Sequence, residues 1–153
     1  MVPSKFDLTN RNCLITGAAG LLGEEHAHAL LEINANIVLT DIDLKKLNLL
    51  KKKLIKQYPL SIIEVIKMDV SNEKSIKKTV VNLKKKKISL YCLINNAAID
   101  AKVKRNQKMS NSSPFEKTSI NEWNKHISVG LTGSMLCAKY FGQMIVTNKI
   151  GGV

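Results

Sequence analysis

Short apolar runs alternate along the chain with segments of helical periodicity, strand then helix four times over, and this predicts a parallel sheet with helices on both faces. The runs fall near Asn12–Thr16, Asn36–Thr40, Ser61–Lys67 and Leu90–Asn95. After the first, the pattern predicts a helix from about Gly20 to Ile33, with Asn34 taking the left-handed conformation that ends it. The next helix carries Leu44, Leu47, Leu50 and Leu54 on one face and lysines on the other. A third begins near a Ser71 cap and buries Ile76, Val80 and Leu83. The polar stretch between Asp100 and Thr118 has no clear period and reads as a surface loop. Ser119 and Glu122 then form a capping box, and Trp123, Ile127, Leu131 and Met135 recur every fourth residue along one long helix. Gly130 and Gly133 inside that helix cost about 1 kcal/mol each relative to Ala, so a close approach is expected at both.

Candidate chemistry sits where the first strand meets the first helix. The segment Thr16-Gly17-Ala18-Ala19-Gly20-Leu21-Leu22-Gly23 has the form of a phosphate-binding turn, with Gly17, Gly20, Leu22 and Gly23 as candidate cofactor contacts. Gly17 permits a tight turn, Gly20 admits a pyrophosphate, and Gly23 lets helix pack closely on strand. The helix start supplies N–H groups and partial positive charge. Asp41 ends the second strand roughly 20 residues downstream, the spacing of a ribose-binding carboxylate. It would accept the adenosine 2′-OH and repel a 2′-phosphate, which favours NAD over NADP.

Composition narrows the picture further. A chain of 153 residues makes one domain with a real core, residues 1–153, and no repeat or low-complexity linker divides it. No run approaches the ~18 apolar residues of a membrane span, and no signal-peptide core follows Met1, so a cytoplasmic location is expected. Cys13, Cys92 and Cys137 are odd in number and set in apolar runs, which predicts small core residues rather than disulfides or zinc ligands. His26, His28 and His126 complete no ligand set, and no metal is expected. The net charge of +12 comes from lysine runs with two arginines and no interleaved aromatics, the signature of solvated helix faces rather than of specific nucleic-acid binding.

The tract Asn95-Asn96-Ala97-Ala98 at the end of the fourth strand, taken with Thr16–Gly23 and Asp41, resembles the short-chain dehydrogenase/reductase family over nearly the whole chain. The resemblance implies a Rossmann-type doubly wound α/β fold with strand order 3-2-1-4. It implies that the tract, including Asn95 and Ala97, lines the cofactor site, and that Asp69 and Val70 contact adenine. The implied reaction is hydride transfer between a nicotinamide and a secondary alcohol or ketone, sugar derivatives included. The tracts 95–100 and 127–133 are similar to those of bacterial members associated with flagellin or surface-glycan modification.

Three departures bear on activity. The glycine spacing TGxxGxxG is that of the family's extended branch, although the Asn tract favours the shorter one. Gly130 stands where members with a catalytic Asn carry it. The family's catalytic Tyr-x-x-x-Lys pair has no counterpart, because Tyr58, Tyr91 and Tyr140 are followed four residues on by Ile62, Asn95 and Met144. No catalytic residue is therefore assigned, and the chain reads as the N-terminal part of the domain, truncated after the fourth strand and its helix. An unpaired edge on that strand is expected. The helix over 119–147 is a candidate homo-oligomer contact through Tyr140, Phe141, Met144 and Ile145, which a core role within one chain explains equally well. The alternatives to an oxidoreductase are a non-catalytic nucleotide-binding or dimerisation module, or a non-functional truncated product.

Overall fold

Alternating side chains on the first strand set the layers. In the computed structural model, which describes residues 3–99, 115–148 and 151–153, β1 (Asn12–Thr16) sends Leu14 to one side and Ile15 to the other, both fully buried. A strand so buried on both faces belongs inside a parallel sheet covered by helices. β2 (Asn36–Asp41) repeats the division, with Val38 on the Leu14 side and Ile37 and Leu39 on the Ile15 side. β3 (Ile63–Lys67) and β4 (Cys92–Ile94) complete a four-stranded parallel sheet in the order β3-β2-β1-β4, as the sequence predicts.

Two helices cover each face. α1 (Leu21–Glu32) and α2 (Leu44–Gln57) bury Ala27, Leu31, Leu47, Leu50 and Leu54 against the Ile15 side. Leu44 is exposed, so the apolar stripe of α2 begins one turn later than predicted. α3 (Glu73–Lys85) and α5 (Ser134–Val146) cover the opposite side with Ile76, Leu83, Cys137 and Phe141. Each fully buried Leu, Ile or Phe contributes about 1.5–3 kcal/mol through removal of apolar surface from water. Asn34 ends α1 with φ of 66°, the left-handed stop expected of it.

Several boundaries shift for local reasons. β3 begins at Ile63 rather than Ser61, because Ser61 N–H closes a turn onto the Tyr58 carbonyl. β4 spans three residues rather than Leu90–Asn95, since the chain turns back at Asn95, with Asn96 N–H donating to Ile94 O. The cap of α3 is Asn72, whose side chain accepts from the N–H groups of Lys74 and Ser75; Ser71 bonds to Asp69 instead. Most of the stretch read as a surface loop lies outside the described residues, and Phe115–Lys117 within it forms a single 3₁₀ turn.

The largest difference concerns the long helix. It divides into α4 (Ile120–Ile127), opened by the predicted Ser119/Glu122 capping box, a π-helical segment Ser128–Gly133, and α5. Hydroxyls stabilise the break: Ser128 Oγ donates to Lys125 O at 2.8 Å, and Ser134 Oγ donates to Gly130 O at 2.7 Å. Phe141, Met144 and Ile145 are buried within the chain's own core, so of the two roles open to them the core role holds. The edge of β4 is not bare either. Val153 N–H donates to Tyr91 O at 2.8 Å and Val153 O accepts from Leu93 N–H at 3.0 Å, the bonding of a parallel neighbour.

Candidate functional site

All four strands run the same way, so their carboxyl ends line one edge of the sheet, where ligands bind in open α/β folds. The glycine turn, Asp41, Asp69, Val70 and the Asn tract follow the ends of β1, β2, β3 and β4 in turn. Residues drawn from across the sequence are thus brought to one side of the molecule by topology alone.

Gly17 has φ of +63°, and a Cβ there would lie 2.8 Å from Ala97 Cα. The turn therefore packs directly on the Asn tract, at a spacing that only glycine allows. A Cβ on Gly23 would lie 2.4 Å from Gly17 O, so this glycine lets α1 close onto the turn. Gly20 differs, because a Cβ on it would meet only Gly17 O at 3.3 Å, and its remaining side is open. Gly20 is also the N-cap of α1, and no side chain caps that end. An open helix N-terminus beside a glycine is suited to a phosphate. Leu22 in the first turn of α1 is 66% exposed and flanks this opening.

Asp41 holds the turn from the other side. Its Oδ2 accepts Ala19 N–H at 3.1 Å and its Oδ1 accepts Asp43 N–H at 2.9 Å. Ala18 N–H donates to Thr40 O at 3.0 Å, a second tie between turn and β2. Each carboxylate oxygen has a further lone pair, so both can still receive ribose hydroxyls.

The Asn tract is fixed by a network that sequence reasoning did not assign. Thr16 Oγ1, fully buried at the end of β1, accepts N–H groups from both Asn96 and Ala97 at 3.0 Å and lies 3.3 Å from Ile94 O. Asn96 Nδ2 donates to Thr16 O at 3.0 Å and to Gly17 O at 3.1 Å. Asn96 and Thr16 thus bind the tract to the glycine turn, whereas the exposed Asn95 donates only a long bond to Ser134 O, 3.3 Å away. The adjacent threonine and the tandem asparagines were the signal in the sequence, and the choice between the asparagines was not legible there.

Asp69 and Val70 lie just past β3, joined to Asp41 through Met68 N–H, which donates to Asp41 O at 2.9 Å. Asp69 Oδ1 accepts from the Ser71 N–H and hydroxyl at 2.9 and 2.6 Å, and Asp69 N–H donates to Ser75 Oγ at 3.0 Å. Val70 is buried and packs on the π-helical segment, for a Cβ on Gly133 would lie 2.9 Å from Val70 Cγ2. This is the close approach expected at Gly133. At Gly130 that expectation fails, since nothing lies within 4 Å of a Cβ there.

Among the described residues, no three His, Cys, Asp or Glu side chains gather to hold a metal ion, and no helix is long and apolar enough to cross a membrane. His28 shares a hydrogen bond with Tyr58, its Nδ1 lying 3.1 Å from the hydroxyl.

Known proteins resemble the chain in sequence and in fold. The chain is 27% identical over 150 residues to an uncharacterized oxidoreductase of Thermotoga maritima, covering 95% of this chain and 52% of that one. It is 27% identical over 148 residues to a 5-keto-D-gluconate 5-reductase of Escherichia coli, covering 97% of this chain and 54% of the relative. The solved structure of a metagenomic short-chain oxidoreductase in complex with NADP has the same fold, with a TM-score of 0.79 at 22% identity over 95% of this chain and 60% of that one. The chain spans about half the length of the curated relatives it matches. The family described as short chain dehydrogenase matches residues 11–153, from the start of β1 to Val153 beside β4, and the chain belongs to that family.

Proposed function

We propose that residues 1–153 form the N-terminal, cofactor-binding part of a dinucleotide-binding domain whose enzyme moves hydride between NAD and a secondary alcohol or ketone, sugar derivatives included. The observation that carries this reading is the clasp at the carboxyl edge. Asp41 grips the turn at Ala19, Asn96 grips it at Thr16 and Gly17, and the capless N-terminus of α1 is left open at Gly20. An open helix N-terminus beside such a clasp offers the free N–H groups that a pyrophosphate would accept, which supports this reading.

The residues fit the coenzyme in order. Gly17, Gly20, Leu22 and Gly23 form the phosphate turn, Asp41 takes the adenosine ribose, Asp69 and Val70 border adenine, and Asn95 and Ala97 line the nicotinamide side. When bound, the nicotinamide supplies the hydride donor or acceptor. The fold itself does not choose between coenzymes, as its NADP-bound counterpart illustrates. The choice rests here on Asp41, whose charge repels a 2′-phosphate. We further place the protein in the cytoplasm, with a small-molecule substrate, no membrane and no specific nucleic-acid partner, as a homo-oligomer built on the 119–147 helices.

A second reading is favoured by the residues at the would-be catalytic positions. With glycine at 130 and no tyrosine followed by lysine at the fourth place, these 153 residues bind coenzyme without turning it over. Fluorescence titration with NADH, followed by assay against a panel of secondary alcohols and ketones, tests both readings. Saturable binding without turnover is expected of these residues alone. Unchanged NADH affinity in Asp41→Ala would overturn the assigned pose.

A further inference from the structure

Cys13 and Cys92 are partners in the ladder between β1 and β4, rung for rung. Paired residues of neighbouring strands point to the same face. Here it is the α1/α2 face, because Ile15 and Ile94, each two residues further on, both join the core there. Neighbouring strands lie about 4.8 Å apart, inside the range of about 4.4–6.8 Å between Cα atoms that a disulfide spans. Their Cβ atoms must close to about 4 Å, which requires one strand to give slightly. β4 is able to do so, being three residues long and bonded on its outer side to Val153 among the described residues.

The two thiols have unequal chemistry. Cys13 is fully buried, and its hydrogen bond with Cys92, together with burial, pushes its thiol up. The same bond draws Cys92, which is half-buried, down toward the thiolate. Cys137 is pushed up to about 12 by burial on the opposite face, and so stays a thiol. A half-buried thiol held below its ordinary range beside a fully buried one held above it is the arrangement of an attacking and a resolving cysteine.

We propose that Cys13 and Cys92 form a reversible disulfide between β1 and β4 when the protein meets a peroxide. The Cys92 thiolate attacks one oxygen of hydrogen peroxide, forming an S–O bond as the O–O bond breaks and hydroxide leaves. The Cys13 sulfur then attacks the Cys92 sulfur and gives up its proton, so that S–S forms, S–O breaks and water departs. Two thiols lose two electrons and the peroxide is reduced to water. The bond ties the two strands together a few residues below the contact of Thr16 with Asn96, and a dithiol reductant reverses it.

Peptide mapping of the wild-type chain after a hydrogen peroxide pulse tests this directly. The expected product is a cross-linked peptide pair containing Cys13 and Cys92, with titratable thiols falling from three to one and returning with dithiothreitol. Cys137→Ser should retain the link, and Cys92→Ser should abolish it. Three surviving thiols, a stable oxygen adduct on Cys92 alone, or a link between two chains would each overturn the proposal. The wild-type map decides the matter even if a variant at fully buried Cys13 fails to fold.

Discussion

The two asparagines that end β4 are neighbours in sequence and unlike in function. Asn96 donates two hydrogen bonds to the turn carbonyls, while the side chain of Asn95 lies at the surface. Truncating a half-buried donor leaves its acceptors without partners and costs about 1–3 kcal/mol, whereas an exposed long bond costs little. Asn96→Ala should therefore lower the urea midpoint clearly and Asn95→Ala hardly at all. Equal effects would contradict the assignment of the clasp. At the same scale, Gly17→Ala must place a methyl group against the Ala97 backbone in a left-handed conformation. It should destabilise the chain by at least the ~1 kcal/mol of the backbone term, and abolish NADH binding with it. Gly17 and Asp41 were legible in the sequence because a glycine turn and a strand-end carboxylate are local signals. Asn96 was not, because only the turn opposite it distinguishes it from Asn95.

Elements repeat this lesson at longer range. Both Ser71 and Asn72 are good helix caps, and which one serves depends on Asp69, which occupies the serine. Asn72→Ala should cost about 1 kcal/mol by chemical denaturation. Gly130 and Gly133 looked alike as helix breakers, yet only Gly133 faces Val70. Gly133→Ala is expected to cost about 1–3 kcal/mol through overpacking. Gly130→Ala meets open space and should stabilise the chain by up to about 1 kcal/mol. Thermal melts of the pair should move in opposite directions, and movement in the same direction would remove the basis for this distinction. A periodic pattern over 119–147 predicts helix but carries no signal for the π-helical break, at whose two ends the hydroxyls of Ser128 and Ser134 donate to carbonyls.

On the scale of the whole molecule, the two-sided core follows from the alternation of apolar runs and the strand order from the family resemblance, and both appear as expected. What the pattern could not assign is which apolar residues face inward. Phe141, Met144 and Ile145 are core, whereas Trp123, Leu131 and Met135, from the periodic stripe read along the same predicted helix, are more than half exposed. These exposed apolar residues along α4, the π-helical segment and α5 would suit the proposed contact between subunits. Sedimentation of the wild-type chain should show mass increasing with concentration, and Leu131→Glu should shift it to the monomer. A wild-type chain that stays monomeric would limit the helix to a role within one subunit.

The central claim is that the carboxyl edge of the sheet binds a nicotinamide dinucleotide and that Asp41 selects it. Calorimetric titration of the folded chain with NADH and NADPH, repeated on Asp41→Ala, tests it most directly. The account predicts one saturable NADH site, weaker binding of NADPH, and loss of that preference in the variant. A cooperatively folded chain that binds neither coenzyme, or both equally, would contradict it.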